Sequence, residues 1–460
     1  GFFYRIYMSR TIGAEGLGLY NMIHPFFSIA FALCAGSIQT ALSQYVAANR
    51  EKGWSVFLCG LALSLSLSVI PVLLLCKGKI FLASNVLSEP QAARYLPVLA
   101  VSVPFACLHA CINGYYYGMN KAHIPSFSQI AEQMIRMGAV WLLVIYLEKN
   151  GKPVTVGLAV EGHVIGEMAS AAFTFLALLL VPPQKGEREG GKERKNLVPI
   201  LTLALPLMGN RLVLNLLGSA EAILIPSRLI DHGLTNKEAL SVYGVLTSMA
   251  LPFILFPSAI TNSMAVLLLP SAARAQAMKE QGRISFKCSC YMGILCIGIF
   301  TRFGKNLGTM IFRSELSGSF ITVLCWLCPF MYLATTMGSI QNGLGKTGTT
   351  FLQNIVAMGI RLAFVLFAVP VFVICGFLWG FLVSELFLAF LCCISVGRQA
   401  DFQCNMIECL LKPGFALFIS MGIDRAFCTA IPVTGSVVAI VLRMGLITAC
   451  YGMFLGMILR

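Results

Sequence analysis

The sequence predicts an all-α, polytopic membrane protein built from two like helix bundles, and three observations carry that prediction. Charged residues make up only 11% of the 460 residues and hydrophobic ones 58%, whereas a soluble domain carries about 25% charged residues. Apolar runs of about 20 residues, the length of a helix across a bilayer, recur along the chain. Finally, Val98-Leu99, Pro104-Phe105, Leu108, Gly118, Lys121, Ile130, Ile135 and Arg136 return at a fixed offset of 225 residues. Their counterparts are Val323-Leu324, Pro329-Phe330, Leu333, Gly343, Lys346, Ile355, Ile360 and Arg361. Membrane-barrel strands would alternate apolar and polar residues in short segments, and no such pattern dominates.

Taken in order, the pattern predicts a partial helix over 1–9, then spans near 20–48, 56–76, 96–117, 127–147 and 154–181. Few apolar residues precede Arg10, so the first helix reads as truncated, and no cleavable signal peptide is expected. These spans form an N-terminal six-helix bundle, 1–184. The stretch from Pro182 to Lys195 is the most polar in the chain, and 185–195 reads as a cytoplasmic linker. Spans near 197–225, 239–269, 286–301, 319–340, 350–373 and 377–396 form a second six-helix bundle, 196–400. Spans near 413–431 and 435–459 form an additional pair within 401–460, for fourteen in all if the first helix crosses.

The formal charge of +14 sits mostly in short loops. With the N-terminus inside, sixteen Lys and Arg fall on the cytoplasmic side and twelve on the other, the sign that orients membrane proteins. Basic loops of this kind meet anionic lipid headgroups, and part of the excess suits an anionic cargo; nucleic acid is not an expected partner. The 17 Cys are scattered. Cys325-x-x-Cys328 and Cys288-x-Cys290 lack partner pairs at zinc-ribbon spacing, so the thiols read as helix-packing residues and no metal site is expected.

A duplication that keeps six helices in one order and orientation implies a two-fold axis along the membrane normal. The expected substrate site is the cleft between the halves, and the expected activity is transport by alternating access. Intramembrane polar and charged residues then mark the candidate site. On the fifth span, Gln129, Glu132, Gln133 and Arg136 share one helix face, with Glu132 and Arg136 placed to pair at i, i+4. The matching span carries Gln353, Asn354 and Arg361, with Ala357 where Glu132 would stand. Arg5 on the first span and Arg211 with Asn215 on the seventh are placed to hold a phosphate or pyrophosphate by bidentate hydrogen bonds. Snorkelling to the headgroups is the competing reading for both arginines. His24, before Pro25, reads first as a packed, hydrogen-bonded histidine and is the ion-coupling candidate if it titrates. His163 with Glu167, and His109 with Asn113, read as packed, hydrogen-bonded pairs. Glu385, Arg443 and Asp424-Arg425 are too isolated in sequence to assign.

Gly343-Leu344-Gly345-Lys346-Thr347 ends like a phosphate-binding loop, but that motif needs glycine where Ile340 stands and no strand precedes it. No nucleotide, cofactor or catalytic residue is expected, and nothing in the sequence sets an oligomeric state.

Gly1-Phe2-Phe3-Tyr4-Arg5-Ile6-Tyr7-Met8-Ser9-Arg10-Thr11-Ile12-Gly13-Ala14-Glu15-Gly16-Leu17-Gly18-Leu19-Tyr20 resembles the N-terminal signature of the stage V sporulation protein B-like oligosaccharide flippases. So do Tyr243-Gly244-Val245-Leu246-Thr247-Ser248-Met249-Ala250-Leu251-Pro252 and Asn342-Gly343-Leu344-Gly345-Lys346. That family lies in the multidrug/oligosaccharidyl-lipid/polysaccharide exporter superfamily with the bacterial lipid II flippases. The resemblance implies a V-shaped pair of six-helix bundles plus two C-terminal helices, in the bacterial cell membrane. It implies a polyprenyl-pyrophosphate-linked saccharide as substrate, with the peptidoglycan precursor favoured, and a role in cell-wall or sporulation metabolism. Arg5 lies one position from the family's first-helix arginine, and the second-helix arginine pair is replaced by Ala30 and Phe31. The pair 413–459 would correspond to a groove for the lipid tail.

Two other classes compete. A multidrug or cation antiporter would favour an acidic, aromatic cavity, and the first-half candidates lean basic and amide-rich. A membrane-embedded polyprenyl-phosphate enzyme would need clustered carboxylates at a membrane face, and the loops offer none.

Overall fold

The computed structural model describes residues 2–181, 193–268, 275–400, 407–430 and 437–459; most of the 185–195 linker lies outside the described residues. Those residues form helices and turns, with no strand among them. Among the described residues, twelve helices are long and apolar enough to cross a membrane. In chain order the helices are α1 (Phe2–Thr11), α2 (Gly13–Ala48), α3 (Arg50–Lys77), α4 (Leu96–Gly118), α5 (His123–Lys149), α6 (Gly157–Leu180), α7 (Glu193–Asp231) and α8 (Asn236–Leu255). There follow α9 (Ser258–Leu268), α10 (Ala275–Phe312), α11 (Glu315–Gly343), α12 (Thr347–Phe367), α13 (Ile374–Ala400), α14 (Lys412–Ala430) and α15 (Val437–Leu459). Twelve of the fourteen expected spans meet the length and hydropathy requirement. The two that do not are α1, with ten residues, and α14, which carries Lys412, Asp424 and Arg425. The protein is a polytopic helical membrane protein.

Two compact units form. One contains Thr11–Ser227 and Asn236–Ser241; the other contains Phe2–Arg10, Arg228–Thr235 and Val242–Arg460. Within the first, α4 packs against α2, α3 and α6, and α5 packs against α6. Within the second, α11 packs against α10 and α13, and α12 packs against α13, while α14 and α15 pair and rest on α10. Four consecutive helices, α3–α6 and α10–α13, thus keep the same neighbours in both units.

The repeat extends to turn geometry. Asn120 and Gly345, 225 residues apart, both adopt left-handed φ angles, +60° and +78°. Lys121 N–H donates to the Tyr116 carbonyl (2.9 Å) and Lys346 N–H to the Gln341 carbonyl (3.2 Å). Asn120 N–H donates to the Tyr117 carbonyl and Gly345 N–H to that of Asn342. Each turn is therefore a helix C-terminal cap in which a left-handed residue satisfies the last carbonyls. That is what glycine does at position 345, and it accounts for the resemblance to a phosphate loop.

Polarity is inverted relative to a soluble fold. On α3, Val69, Ile70, Leu73 and Leu74 are exposed, while Ser64 and Ser68 are buried, Ser64 Oγ donating to the Cys34 carbonyl at 2.5 Å. Small residues let helices approach where lipid offers no hydrophobic drive. On α4, Gly114 and Gly118 face α2. A Cβ at 114 would stand 2.6 Å from the Gln39 carbonyl oxygen, and one at 118 would stand 2.9 Å from that of Ser43. Around this contact, Ile38, Leu42 and Val46 pack with Val56, Phe57, Ile112, Tyr115 and Tyr116. The Tyr116 hydroxyl lies 3.1 Å from the carbonyls of both Ala177 and Val181, tying α4 to the end of α6. Gly114→Leu is expected to force α2 and α4 apart and cost about 1–3 kcal/mol. The check is thermal unfolding of purified protein in detergent; an unchanged midpoint would contradict the close approach.

In the second unit, Ser314 caps α11 through its side chain, accepting from Ser317 N–H at 3.2 Å. A 3₁₀ turn at Cys325–Leu327 interrupts this helix just before Pro329, whose missing N–H cannot continue the ladder. Asp424 on α14 is buried and receives both Arg443 Nε (2.8 Å) and Nη2 (2.7 Å) from α15. Arg302 Nε on α10 lies 3.5 Å from the same carboxylate, and the Arg443 guanidinium stacks 5.0 Å over Phe303. The residues that sequence alone left unassigned therefore clamp three helices together.

Candidate functional site

Within the first unit, ionisable side chains from α4, α5 and α6 meet at Glu167, which is buried. Its Oε2 lies 2.7 Å from His109 Nε2 on α4, and its Oε1 lies 3.9 Å from Arg136 Nη2 on α5. Arg136 also pairs with Glu132 one turn earlier, and Gln133 Nε2 reaches Glu132 Oε1 at 3.5 Å. His163, one turn before Glu167 on α6, places Nε2 at 3.9 Å from Glu167 Oε1. Both nitrogens of this buried imidazole lack a hydrogen-bond partner. The stripe continues along α6 through Ser170, whose hydroxyl meets that of Ser128 on α5 at 2.8 Å, and Thr174.

The face needed on α6 follows from helical spacing. Positions 163, 167, 170 and 174 recur every three or four residues, so they align toward α4 and α5. Gly166 makes room beside them: a Cβ there would run into the Arg136 guanidinium, 2.8 Å from Nη2.

A second helix face completes the cluster. The His24 ring on α2 lies 5.4 Å from that of His163, and Phe27 presents its ring edge-to-face to His163 at 4.4 Å. His24 Nδ1 lies 3.4 Å from Ser28 Oγ, and Asn215 Nδ2 of α7 donates to the Ser28 carbonyl at 3.4 Å. With neutral histidines, two carboxylates face one guanidinium, and one further positive charge balances the group.

Arg211 occupies a different setting in the same unit. Residues Ala32–Gly36 of α2 form a π-helical turn, a distortion that recurs at functional sites. Just beyond it, Thr40 Oγ1 donates to the Gly36 carbonyl (3.1 Å) and accepts from Arg211 Nη2 (3.0 Å). The guanidinium lies directly against Gly36, where a Cβ would collide with Nη1. Arg136, Arg211, Arg361 and Arg443 are the arginines that the sequence placed inside spans and whose contacts are described. Arg136 has Glu132 and Glu167, Arg361 has Glu385, and Arg443 has Asp424. Arg211 has a hydroxyl, and no carboxylate pairs with it among the described residues.

The remaining candidates lie in the second unit. Arg5 is exposed on α1. Asn354 Nδ2 donates to the Thr350 carbonyl at 2.7 Å. Arg361 Nη1 lies 3.7 Å from Glu385 Oε1 on α13 and its guanidinium lies 5.1 Å over Phe381. Sequence reasoning did not place His109, His163 and Glu167 in a site. The signal was present, since all three are ionisable residues inside apolar spans, but their convergence on Arg136 is a tertiary fact.

A family model described as polysaccharide biosynthesis protein matches residues 1–276. Stage V sporulation protein B of Bacillus subtilis (strain 168) is 23% identical over 440 residues, covering 92% of this chain and 84% of that protein. Among solved structures, the lipid II flippase MurJ in an inward closed conformation matches with a TM-score of 0.75 at 14% identity, covering 99% of this chain and 95% of that one. An inward-facing multidrug resistance MATE family transporter of the MOP superfamily matches with a TM-score of 0.65 at 15% identity, covering 86% and 93%. The two structural likenesses show the fold.

Proposed function

The chain belongs to the polysaccharide biosynthesis protein family, and on that premise we propose that it is a flippase moving a polyprenyl-pyrophosphate-linked saccharide from the inner to the outer leaflet. The peptidoglycan precursor lipid II is the favoured cargo. Arg211 carries this reading. A guanidinium inside a span with no carboxylate partner among the described residues is set to receive an anion, and pyrophosphate is an acceptor that arginine holds bidentately. A carrier of cationic drugs would gain nothing from such a group.

The mechanism follows from charge. A pyrophosphate headgroup cannot cross hydrocarbon without compensation, while its lipid tail can remain in the bilayer throughout. Arg211 lowers that cost at the headgroup. The cluster around Glu167 supplies a switch: protonation of the His109–Glu167 pair neutralises it, and loss of the proton leaves one net negative charge. A conformational equilibrium that the proton biases can then be coupled to cargo movement by alternating access. His24, in ring contact with His163, borders that cluster on the α2 side.

The test uses a bacterial strain whose own lipid II flippases can be depleted, following lipid II at the outer leaflet. Wild-type protein is expected to restore it, Arg211→Ala to fail at matched expression, and Arg211→Lys to restore part. Absence of rescue by well-expressed wild type would reject lipid II as the cargo. Full rescue by Arg211→Ala would reject Arg211 as the anion site.

A further inference from the structure

In the second unit a cavity of about 430 Å³ is lined by Arg283, Ile284, Lys287, Cys288, Tyr291 and Glu408. It lies at the start of α10 and beside the 407–411 turn that leads into α14. We propose that this cavity binds the phosphate of an anionic membrane phospholipid, with the acyl chains lying along the apolar residues beside it. The site is separate from Arg211 and does not depend on the nature of the cargo.

Three features define the ligand chemistry. First, the lining is cationic beyond its own neutralisation. Lys287 Nζ pairs with Glu408 Oε2 at 2.5 Å, while Arg283 Nη2 stands 3.7 Å from the same oxygen, outside hydrogen-bond range. The Arg283 side chain is 56% exposed and keeps its donors for another acceptor. Lys287, with Arg283 and Lys412 nearby, holds the Glu408 carboxyl below its usual range, so it is ionised at neutral pH and one negative charge faces three positive ones. Second, the Tyr291 hydroxyl is buried and has no hydrogen-bond partner, although Tyr291 lines the cavity. A buried hydroxyl left unpaired costs free energy that an acceptor oxygen would recover.

Third, the surroundings are those of a lipid rather than of a free ion. Ile284, Ile407, Leu410 and Leu411 are all exposed around the basic residues. Both contributing segments lie on the side that the Lys and Arg distribution assigns to the cytoplasm. Basic pockets between helices at that face take anionic headgroups. Glu408 acts as an internal competitor: it occupies Lys287 until a phosphate replaces it.

The test is native mass spectrometry and thermal unfolding of the purified full chain with short-chain phosphatidylglycerol, short-chain phosphatidylcholine or inorganic phosphate. Phosphatidylglycerol is expected to bind about tenfold more tightly than phosphatidylcholine. Arg283→Gln is expected to lower phosphatidylglycerol affinity about tenfold, as for the loss of one charge-assisted hydrogen bond. Tyr291→Phe removes only an unpartnered hydroxyl, so it leaves the fold intact and is expected to lower affinity severalfold. Glu408→Gln removes the competitor and is expected to raise affinity, a gain that misfolding cannot produce. Equal phosphatidylglycerol binding by wild type, Arg283→Gln and Tyr291→Phe would overturn the site. Equal protection by inorganic phosphate would overturn the lipid assignment, as would displacement of phosphatidylglycerol by polyprenyl pyrophosphate at tenfold lower concentration, which would assign the cavity to the cargo.

Discussion

Glu167→Gln is expected to slow flipping at least tenfold and to flatten its pH dependence, while the helices stay packed. Glu167 joins α4, α5 and α6 electrostatically, through His109 at 2.7 Å and Arg136 at 3.9 Å. The amide keeps the shape and one hydrogen bond to His109. It removes the charge, so Glu132 and Arg136 then balance each other and no proton is needed for neutrality. A hydrogen bond to a charged group contributes about 1.5–3 kcal/mol, which corresponds to about ten- to a hundredfold in an equilibrium. In the wild type the proton-bearing groups facing one another are His24 on α2, His109 on α4, Glu132 on α5, and His163 and Glu167 on α6. Transport is therefore expected to vary with pH in the wild type and not in the variant. The measurement is lipid-linked saccharide flipping in proteoliposomes at fixed protein content. A variant with the wild-type rate and profile would make the cluster purely structural.

Arg136→Gln is a less informative substitution, because it leaves Glu132 and Glu167 buried together without a cation. Breaking a buried ion pair from one side costs about 3–5 kcal/mol, and lost folding would mask lost transport. Gly166→Ala displaces the same guanidinium while keeping its charge. Partial loss of flipping in Gly166→Ala would place the position of Arg136, and not only its sign, in the coupling.

The helices were legible because each apolar run is long enough to cross a bilayer and no competing period interferes. Gly13, with φ +72°, breaks the first helix from the second as a glycine in a left-handed conformation can. The repeat was legible because Gly118–Lys121 and Gly343–Lys346 retain a cap that demands particular residues. Within the site, the Glu132–Arg136 contact follows from spacing alone, since i, i+4 neighbours meet on any helix. The partners of Glu167 do not follow. His109 lies 58 residues away, and nothing in one sequence says that α4 and α6 face each other at that height. The same limit hid Glu385 from Arg361 and Asp424 from Arg443. Local periodicity reports which face of a helix is polar, while only packing decides which polar faces meet.

The intramembrane arginines differ in their partners. Arg361 stacks on Phe381 and meets one carboxylate across a helix pair. Arg443 is saturated by a bidentate carboxylate and an aromatic face. Arg211 donates to Thr40 and lies against the glycine at the end of a π turn, so its remaining donors stay available.

Arg443→Met is expected to destabilise the second unit by about 3 kcal/mol. Asp424 is 1% exposed, and the substitution removes two of its hydrogen bonds, at 2.8 and 2.7 Å. Arg302 remains at 3.5 Å, but its side chain is 44% exposed and reaches the carboxylate from one side. The loss therefore falls at the lower end of the range for a buried carboxylate left without its partner. Met fills the stem of the arginine and keeps contact with Phe303, so the effect isolates charge from volume. The double variant Asp424→Leu with Arg443→Met is expected to recover most of the loss, because a buried pair replaced whole by apolar groups is often neutral. Thermal unfolding of the two single variants and the double variant gives the coupling directly. A double variant no more stable than Arg443→Met would show that α14 and α15 hold together by packing and not by this pair. The expected recovery would show that the clamp is specific in geometry while adding little net stability, which fits a helix pair fastened to α10 at one depth in the bilayer.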